Sequence, residues 1–402
     1  VRVSGSIRAN FGASSWIRRM FEEGQKLAAE FGADKVYDFS LGNPDLEPPA
    51  EFHEALKRLA DSSPRGSHGY MANAGYPEVR ERVARRAARD QGLEIPAANI
   101  VMSIGAAGGL NVALRTLLDP GDEVIAVSPW FAEYRFYVQN FGGTFVDVRS
   151  GPDFHLDLEA IAAALSPRTA VVIINSPNNP AGVVYRREEL EGLAAVLAAH
   201  GSRSGRMPCL ISDEPYREIV YGGRVVPSVM EAYPETLVVT SWSKSLSLPG
   251  ERIGYLAVSP RVENAKEIVA GLTMSTRVLG FVNAPALIQR VVAEVLDAKA
   301  DVSSYERRGR LFAAGLREAG YEFAEPEGAF YIFARVPARG DPDHPSDDVA
   351  FAMHLRDHRI LAVPGIGFGC PLWFRLSFCV PEATIRNSLP VFDAAMRSWQ
   401  GL

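Results

Sequence analysis

The chain of 402 residues is 47% hydrophobic and 22% charged, with a formal net charge of −6, ample length for one or two domains with sizeable cores. The acidic balance argues against nonspecific nucleic-acid binding, and no apolar run reaches the roughly 18 residues of a membrane span. Cys209, Cys370 and Cys379 show neither metal-ligand spacing nor a disulfide framework, and residues 1–11 do not read as a signal peptide, so the expectation is a metal-free cytoplasmic enzyme that meets neither nucleic acid nor membrane.

Residues 14–31 read as an amphipathic helix capped by Ser14 or Ser15. Residues 36–41 look like a short strand running into the loop Gly42-Asn43-Pro44-Asp45. From about residue 98 strands are expected at 100–104, 123–127, 144–148, 170–174, 209–212, 236–240 and 253–258, with helices such as 108–118, 131–141 and 186–199 between them. Short β-branched runs alternating with helices predict a mostly parallel sheet covered on both faces. Ligands of such sheets sit beyond the carboxyl ends of the strands. After about residue 285 the rhythm changes to a long helical stretch (285–319), strands near 321–324 and 330–335, a loop (337–346), a helix (347–358) and a final helix (381–399). The prediction is an α/β chain: a larger unit (49–285) with a seven-stranded, mostly parallel sheet between helices, and a smaller α+β unit (286–402). The N-terminal arm and helix (1–48) join the smaller unit.

The most informative stretch is Ser241-Trp242-Ser243-Lys244, followed by Arg252 within Gly250-Glu251-Arg252-Ile253-Gly254. A lysine that forms a Schiff base must be aimed and able to lose its proton. Two hydroxyls and an arginine beside it suit a phosphate monoester. Pyridoxal 5′-phosphate carries both an aldehyde and a phosphate. By itself the window also describes a loop with a solvated lysine, but other segments supply the remaining parts of such a site.

Gly105, Ala106 and Ala107 follow a strand and open a helix, where small residues let backbone N–H groups approach a phosphate. A tight strand-to-helix turn has the same pattern. Pro129-Trp130-Phe131 offers an aromatic lid for a flat ring, through Phe131 or Trp130, or else core packing. Asn179, in Asn178-Asn179-Pro180-Ala181-Gly182, has an amide able to donate to a phenolate oxygen, though Asn-Pro also marks a turn. Asp213, in Ser212-Asp213-Glu214-Pro215-Tyr216, ends a strand. A buried carboxylate needs a cationic partner, and a protonated pyridine nitrogen is one. That pairing would make the ring an electron sink. Capping of the following turn is the plainer alternative for Asp213. Tyr216 can bond the phenolate. Arg375, in Phe374-Arg375-Leu376-Ser377-Phe378, presents a planar fork that fits a carboxylate, or is an exposed strand arginine.

In this order the pieces resemble the class I/II aminotransferases, the fold-type I pyridoxal-phosphate enzymes that include aspartate aminotransferase. The resemblance runs from Gly42-Asn43-Pro44-Asp45 through Tyr70 and Gly75 to Arg375. It implies that Lys244 carries the cofactor and then shuttles the proton at the substrate Cα. It implies that Asp213 pairs with the pyridine nitrogen, that Asn179 and Tyr216 bond the phenolate oxygen, and that Phe131 stacks on the ring. Ser241, Ser243, Arg252 and the backbone of Gly105, Ala106 and Ala107 would hold the phosphate. Tyr70 would reach the phosphate of the neighbouring subunit in a homodimer. Arg375 would bind the substrate α-carboxylate, with backbone near Gly42 assisting. The implied reaction is ping-pong transfer from an L-amino acid, of aspartate type, to a 2-oxo acid such as 2-oxoglutarate.

Several positions depart from the family pattern. Ile366 replaces a common serine. Ala106 and Ala107 stand where some aspartate-specific relatives carry a lysine for the distal carboxylate. Arg277, ahead of Phe281-Val282-Asn283-Ala284-Pro285, would take that carboxylate across the dimer interface, or be a surface arginine. Trp16, Arg18 and Arg19 would line the entrance or, for the arginines, sit on the helix surface. The competing activity is a lyase of the same fold. A transcription-regulator module would need a DNA-binding segment, and none is legible before residue 14.

Overall fold

A computed structural model describes residues 2–12, 16–62, 65–339 and 346–402. Twelve strands are described: β1 (Tyr37–Asp38), β2 (Ile100–Ser103), β3 (Glu123–Ser128), β4 (Thr144–Arg149), β5 (Thr169–Asn175), β6 (Cys209–Asp213), β7 (Thr236–Ser241), β8 (Gly254–Val258), β9 (Tyr331–Arg335), β10 (Ile360–Leu361), β11 (Val363–Pro364) and β12 (Trp373–Ser377). Seven form one sheet in the order β2-β8-β7-β6-β5-β3-β4. All run parallel except β8, which is antiparallel to both β2 and β7. β3 and β5 are buried at every position, as inner strands covered on both faces must be. β4 closes one edge with exposed Thr144, Asp147 and Arg149, whose charges discourage pairing with another sheet.

The seven strands of this sheet follow the expected ranges closely, and the covering helices include Gly105–Leu117 and Arg187–Ser204. Helices not anticipated include Gly5–Gly12, Ala50–Asp61, Pro77–Gln91 and Ala265–Val278. Pro77–Gln91 is rich in arginine and buries only a thin stripe of Val79, Val83, Ala84 and Ala87, so its periodicity is faint. Its readable signal is the proline at the first helical position. Ser14 and Ser15, expected to cap the helix observed at Trp16–Phe31, lie outside the described residues, as do residues 340–345 of the expected loop.

The smaller sheet is antiparallel in the order β11-β12-β9. Helices Ser303–Glu318, Asp348–Asp357 and Glu382–Gln400 pack around it. The expected helical stretch over 285–319 is instead two helices, Ala286–Glu294 and Ser303–Glu318. The first ends at Glu294 and the second begins at Ser303, where Ser304 Oγ donates to the Asp301 carbonyl at 2.9 Å. Helix Ala286–Glu294 lies against Ala50–Asp61 and Pro77–Gln91, where Val291 and Val292 join the core beneath β2 and β8. The strand expected at 321–324 shrinks to one bridge, between Phe323 and Ala334. No described helix is long and apolar enough to cross a membrane.

The N-terminal segment is tied to the smaller sheet. β1 pairs in parallel with β10, Ser377 N–H donates to the Phe39 carbonyl at 2.8 Å, and Phe39 stacks on Phe312 at 4.8 Å. Phe39 is fully buried, and the next residues, Ser40 to Gly42, run into the cavity described below. Phe39→Ala should therefore cost about 3–5 kcal/mol of stability, the usual range for a buried phenylalanine. The urea midpoint of the purified variant measures it, and a loss under about 1 kcal/mol would mean that the segment does not depend on this contact.

Candidate active site

Strand ends converge on one cavity of about 800 Å³. Its wall includes Gly42, Ala106, Ala107, Phe131, Asn179, Asp213, Tyr216, Ser241, Ser243, Lys244, Arg252 and Arg375. Asp213 ends β6 and Ser241 ends β7, as expected for a sheet that binds beyond its carboxyl ends. Arg375 comes from β12 of the smaller sheet, so the cavity lies between the two sheets.

Lys244 Nζ donates to the Gly42 carbonyl at 2.6 Å. Burial lowers its pKa to about 8, and the positive charges of Arg375 and Arg252 push the same way against the opposing effect of Cys379. Asp213 is moved in the opposite sense, to about 7, by burial first. The hydrogen bond from Tyr134 resists that rise, and the nearby Glu214 adds to it. Tyr134 donates to Asp213 Oδ2 at 2.6 Å, while Asp213 Oδ1 is buried with no partner among the described residues.

Asn175, at the end of β5, connects two of the expected residues. Its Nδ2 donates to the Asp213 carbonyl at 2.8 Å, and its Oδ1 accepts from the Asn179 N–H at 2.7 Å. Asn179 Oδ1 accepts from Arg375 Nη1 at 3.0 Å, and Arg375 Nη2 donates to the Ser40 carbonyl at 2.5 Å. The guanidinium lies over the rings of Tyr331 (4.7 Å) and Phe368 (5.0 Å), and its Nε has no partner among the described residues. Burial lowers the pKa of Arg375 from its ordinary value. The Tyr216 and Tyr331 hydroxyls are 2.7 Å apart, and burial raises the Tyr216 pKa well above that of a free phenol.

The anion cup forms where helix Gly105–Leu117 begins. Gly105 has φ of 73°, and a Cβ on it would come within 2.8 Å of the Arg252 guanidinium, so only glycine allows this approach. Arg252 itself has φ of 52°, unusual for a residue with a side chain. Ser241 Oγ donates to Ser243 Oγ at 3.1 Å.

Gly105, just behind Ala106, does not line this cavity, and Tyr70 and Arg277 stand outside it. Tyr70 is 94% exposed, and Arg277 is exposed in the last turn of Ala265–Val278. Trp130 faces away from the site, its Nε1 on Asp147 at 3.0 Å, which leaves Phe131 as the aromatic wall. Arg18 lines the mouth but is paired with Glu22, and Arg19 lies over Trp16. Ile366 is half-exposed and its N–H donates to Asp348. Tyr134, Asn175 and Tyr331 were missed. Asn175 alone had a signal, as the polar residue closing an apolar strand.

The donor set fits pyridoxal 5′-phosphate. It combines an amine able to deprotonate, a cup of hydroxyls, arginine and helix N-terminus for a phosphate, an aromatic wall, and an orphaned carboxylate oxygen for a ring cation. Residues 34–391 match the aminotransferase class I and II family. An aspartate/prephenate aminotransferase of Thermus thermophilus is 32% identical over 365 residues, 90% of this chain and 91% of its own. An aspartate aminotransferase of Thermotoga maritima is 34% identical across 91% and 92%. Among solved structures, an amino transferase of Eubacterium rectale superposes with a TM-score of 0.93 at 37% identity, covering 99% of this chain and 100% of its own. The Thermus thermophilus aspartate aminotransferase with maleate gives 0.85 at 29% identity, covering 98% and 100%.

A lysine whose charged form is disfavoured by burial should expose a free amine from about pH 8 upward, not from above pH 10. Trace acylation of the cofactor-free chain across a pH series, with Lys244 followed by peptide mapping, should give a midpoint near 8. A midpoint equal to that of the exposed lysines would remove the electrostatic basis described here.

Proposed function

The chain belongs to the class I and II aminotransferases and is a pyridoxal 5′-phosphate enzyme, and from that premise we propose which residues do the work and which donor it takes. The carrying observation is the cavity in which the Lys244 amine, the free oxygen of Asp213 and the Arg375 fork meet. When bound, the cofactor supplies an electron sink that makes the α-hydrogen of an amino acid acidic. Lys244 Nζ holds the cofactor through a covalent link and, once released, removes the proton from the donor Cα and returns it on the other side of the transfer. Its depressed pKa favours both duties.

Asp213 Oδ1 holds the proton of the ring nitrogen in place. Asn179, whose Oδ1 is already committed to Arg375, offers Nδ2 to the ring oxygen, and Tyr216 offers its hydroxyl to the same atom. Phe131 covers one face of the ring. Ser241, Ser243, Arg252 and the backbone at Gly105, Ala106 and Ala107 hold the phosphate. Arg375 is braced by Asn179 and the Ser40 carbonyl, and receives the α-carboxylate beside Gly42.

The donor is of aspartate type and the acceptor is a 2-oxo acid, 2-oxoglutarate first, in two half-reactions. The aspartate aminotransferases among the relatives support this choice. The lyase alternative is not favoured, because those relatives are aminotransferases. We further take the active form to be a homodimer in which Tyr70 reaches the neighbour's phosphate and Arg277 the distal carboxylate of the neighbour's substrate. The exposed Met274 and Val278 beside Arg277 support a buried face there. Three free cysteines support a reducing, cytoplasmic compartment.

Lys244→Ala should abolish turnover, and borohydride should bleach the wild-type visible band irreversibly with the label on Lys244. A reduced adduct on another lysine would refute the assignment. Adding an amino donor alone should convert the cofactor to its amine form, whereas steady release of ammonia would favour the lyase. Arg277→Ala should raise KM for aspartate and glutamate and spare alanine, since only the dicarboxylates present a second charge. A uniform effect on all donors, or none, removes Arg277 from donor recognition.

A further inference from the structure

The two oxygens of Asp213 have unlike surroundings. Oδ2 accepts from the Tyr134 hydroxyl at 2.6 Å, while Oδ1 is buried without a partner among the described residues, on a side chain that lines the cavity. Tyr134 is the one hydrogen-bond donor to this carboxylate among the described residues. The adjacent Glu214 is engaged elsewhere, accepting from Gln91, Ser212 and Arg217. Tyr134 is 1% exposed, and its ring meets that of Phe131 edge to face at 5.6 Å. Its N–H donates to the Phe131 carbonyl at 3.0 Å, so a single turn carries both rings. One tyrosine thus touches both the carboxylate and the aromatic wall of the cavity.

We infer that Tyr134 is a positioning residue for amino transfer, resting on the pairing of Asp213 with the ring nitrogen proposed above: its hydroxyl occupies Oδ2 and so reserves Oδ1 for the nitrogen, and its ring braces Phe131 against the cofactor face. The hydrogen bond also opposes the burial that drives Asp213 toward its protonated form. A carboxyl left alone in such a pocket keeps its proton and cannot neutralise a ring cation. Tyr134 stays a donor throughout, because burial and the adjacent Asp213 charge raise its own pKa far above the ordinary phenol range.

Tyr134→Phe keeps the ring and removes only the hydroxyl. The affinity of the full-length chain for pyridoxal 5′-phosphate, measured by fluorescence titration after cofactor removal, should fall about tenfold, the scale of one charge-assisted hydrogen bond. For an analogue with carbon in place of the ring nitrogen, the same substitution should cost nothing, since Asp213 then has no cation to meet. In an Asp213→Ala background the Tyr134→Phe effect should also vanish. An equal loss for both compounds, no loss for either, or a Tyr134→Phe chain that does not fold overturns the inference and leaves Tyr134 as a core residue. If Asp213→Ala itself keeps wild-type affinity and turnover, the pairing of Asp213 fails and takes this inference with it. A crippled Asp213→Ala beside an unaffected Tyr134→Phe sinks the Tyr134 role alone.

Discussion

The structure depends on holding charge where water is scarce. Asp213 and Arg375 are buried and Lys244 half-buried around one cavity, and removing ionised groups from water costs several kcal/mol each unless partners compensate. Compensation here is partial. Arg375 is held by Asn179 and the Ser40 carbonyl, but its Nε and one oxygen of Asp213 have no partner among the described residues. Both residues line one cavity, which is what a site completed by its ligand requires. The same burial makes the amine of Lys244 available near neutral pH, so the cost to the fold and the reactivity of the site have one source.

Backbone geometry sets where those charges sit. Parallel strands deliver Asp213 and Ser241 to the same end of the sheet, and the glycine at 105 lets the Arg252 guanidinium lie against the start of a helix. Arg252 takes a left-handed backbone conformation, which costs on the order of 1–3 kcal/mol in a residue with a side chain. That cost is tolerated where an arginine must turn back toward a helix N-terminus, and the positive ends of both then point at the same volume.

The smaller sheet and the N-terminal segment close the site from the other side. Phe39 anchors the segment in an aromatic cluster with Phe312 and Phe392. The next residues give carbonyls to Arg375 (Ser40) and to Lys244 (Gly42). A Cβ on Gly42 would overlap the Tyr331 hydroxyl, so the chain can pass there only as glycine. Two backbone oxygens of one stretch therefore orient both Lys244 and Arg375.

Much of this was legible in the amino-acid sequence. Strand after strand ends in a chemically loaded residue, and alternation of β-branched runs with helices is a local pattern that survives folding. The lysine after two serines, the Asp213-to-Tyr216 segment and Arg375 each had a plainer local reading, and it was their order along the chain that made them recognisable as a set. Tyr134 and Tyr331 were not, because an aromatic residue in a helix or strand looks like core until a distant carboxylate or hydroxyl is brought against it. The break between Ala286–Glu294 and Ser303–Glu318 was hidden because residues 295–302 contain neither glycine nor proline to mark it. Local sequence placed the polar and charged residues that line the cavity at particular strand ends. Only the tertiary structure decided which atoms of those residues stay unpaired, because that depends on contacts such as Tyr134 to Asp213, 79 positions apart in the chain.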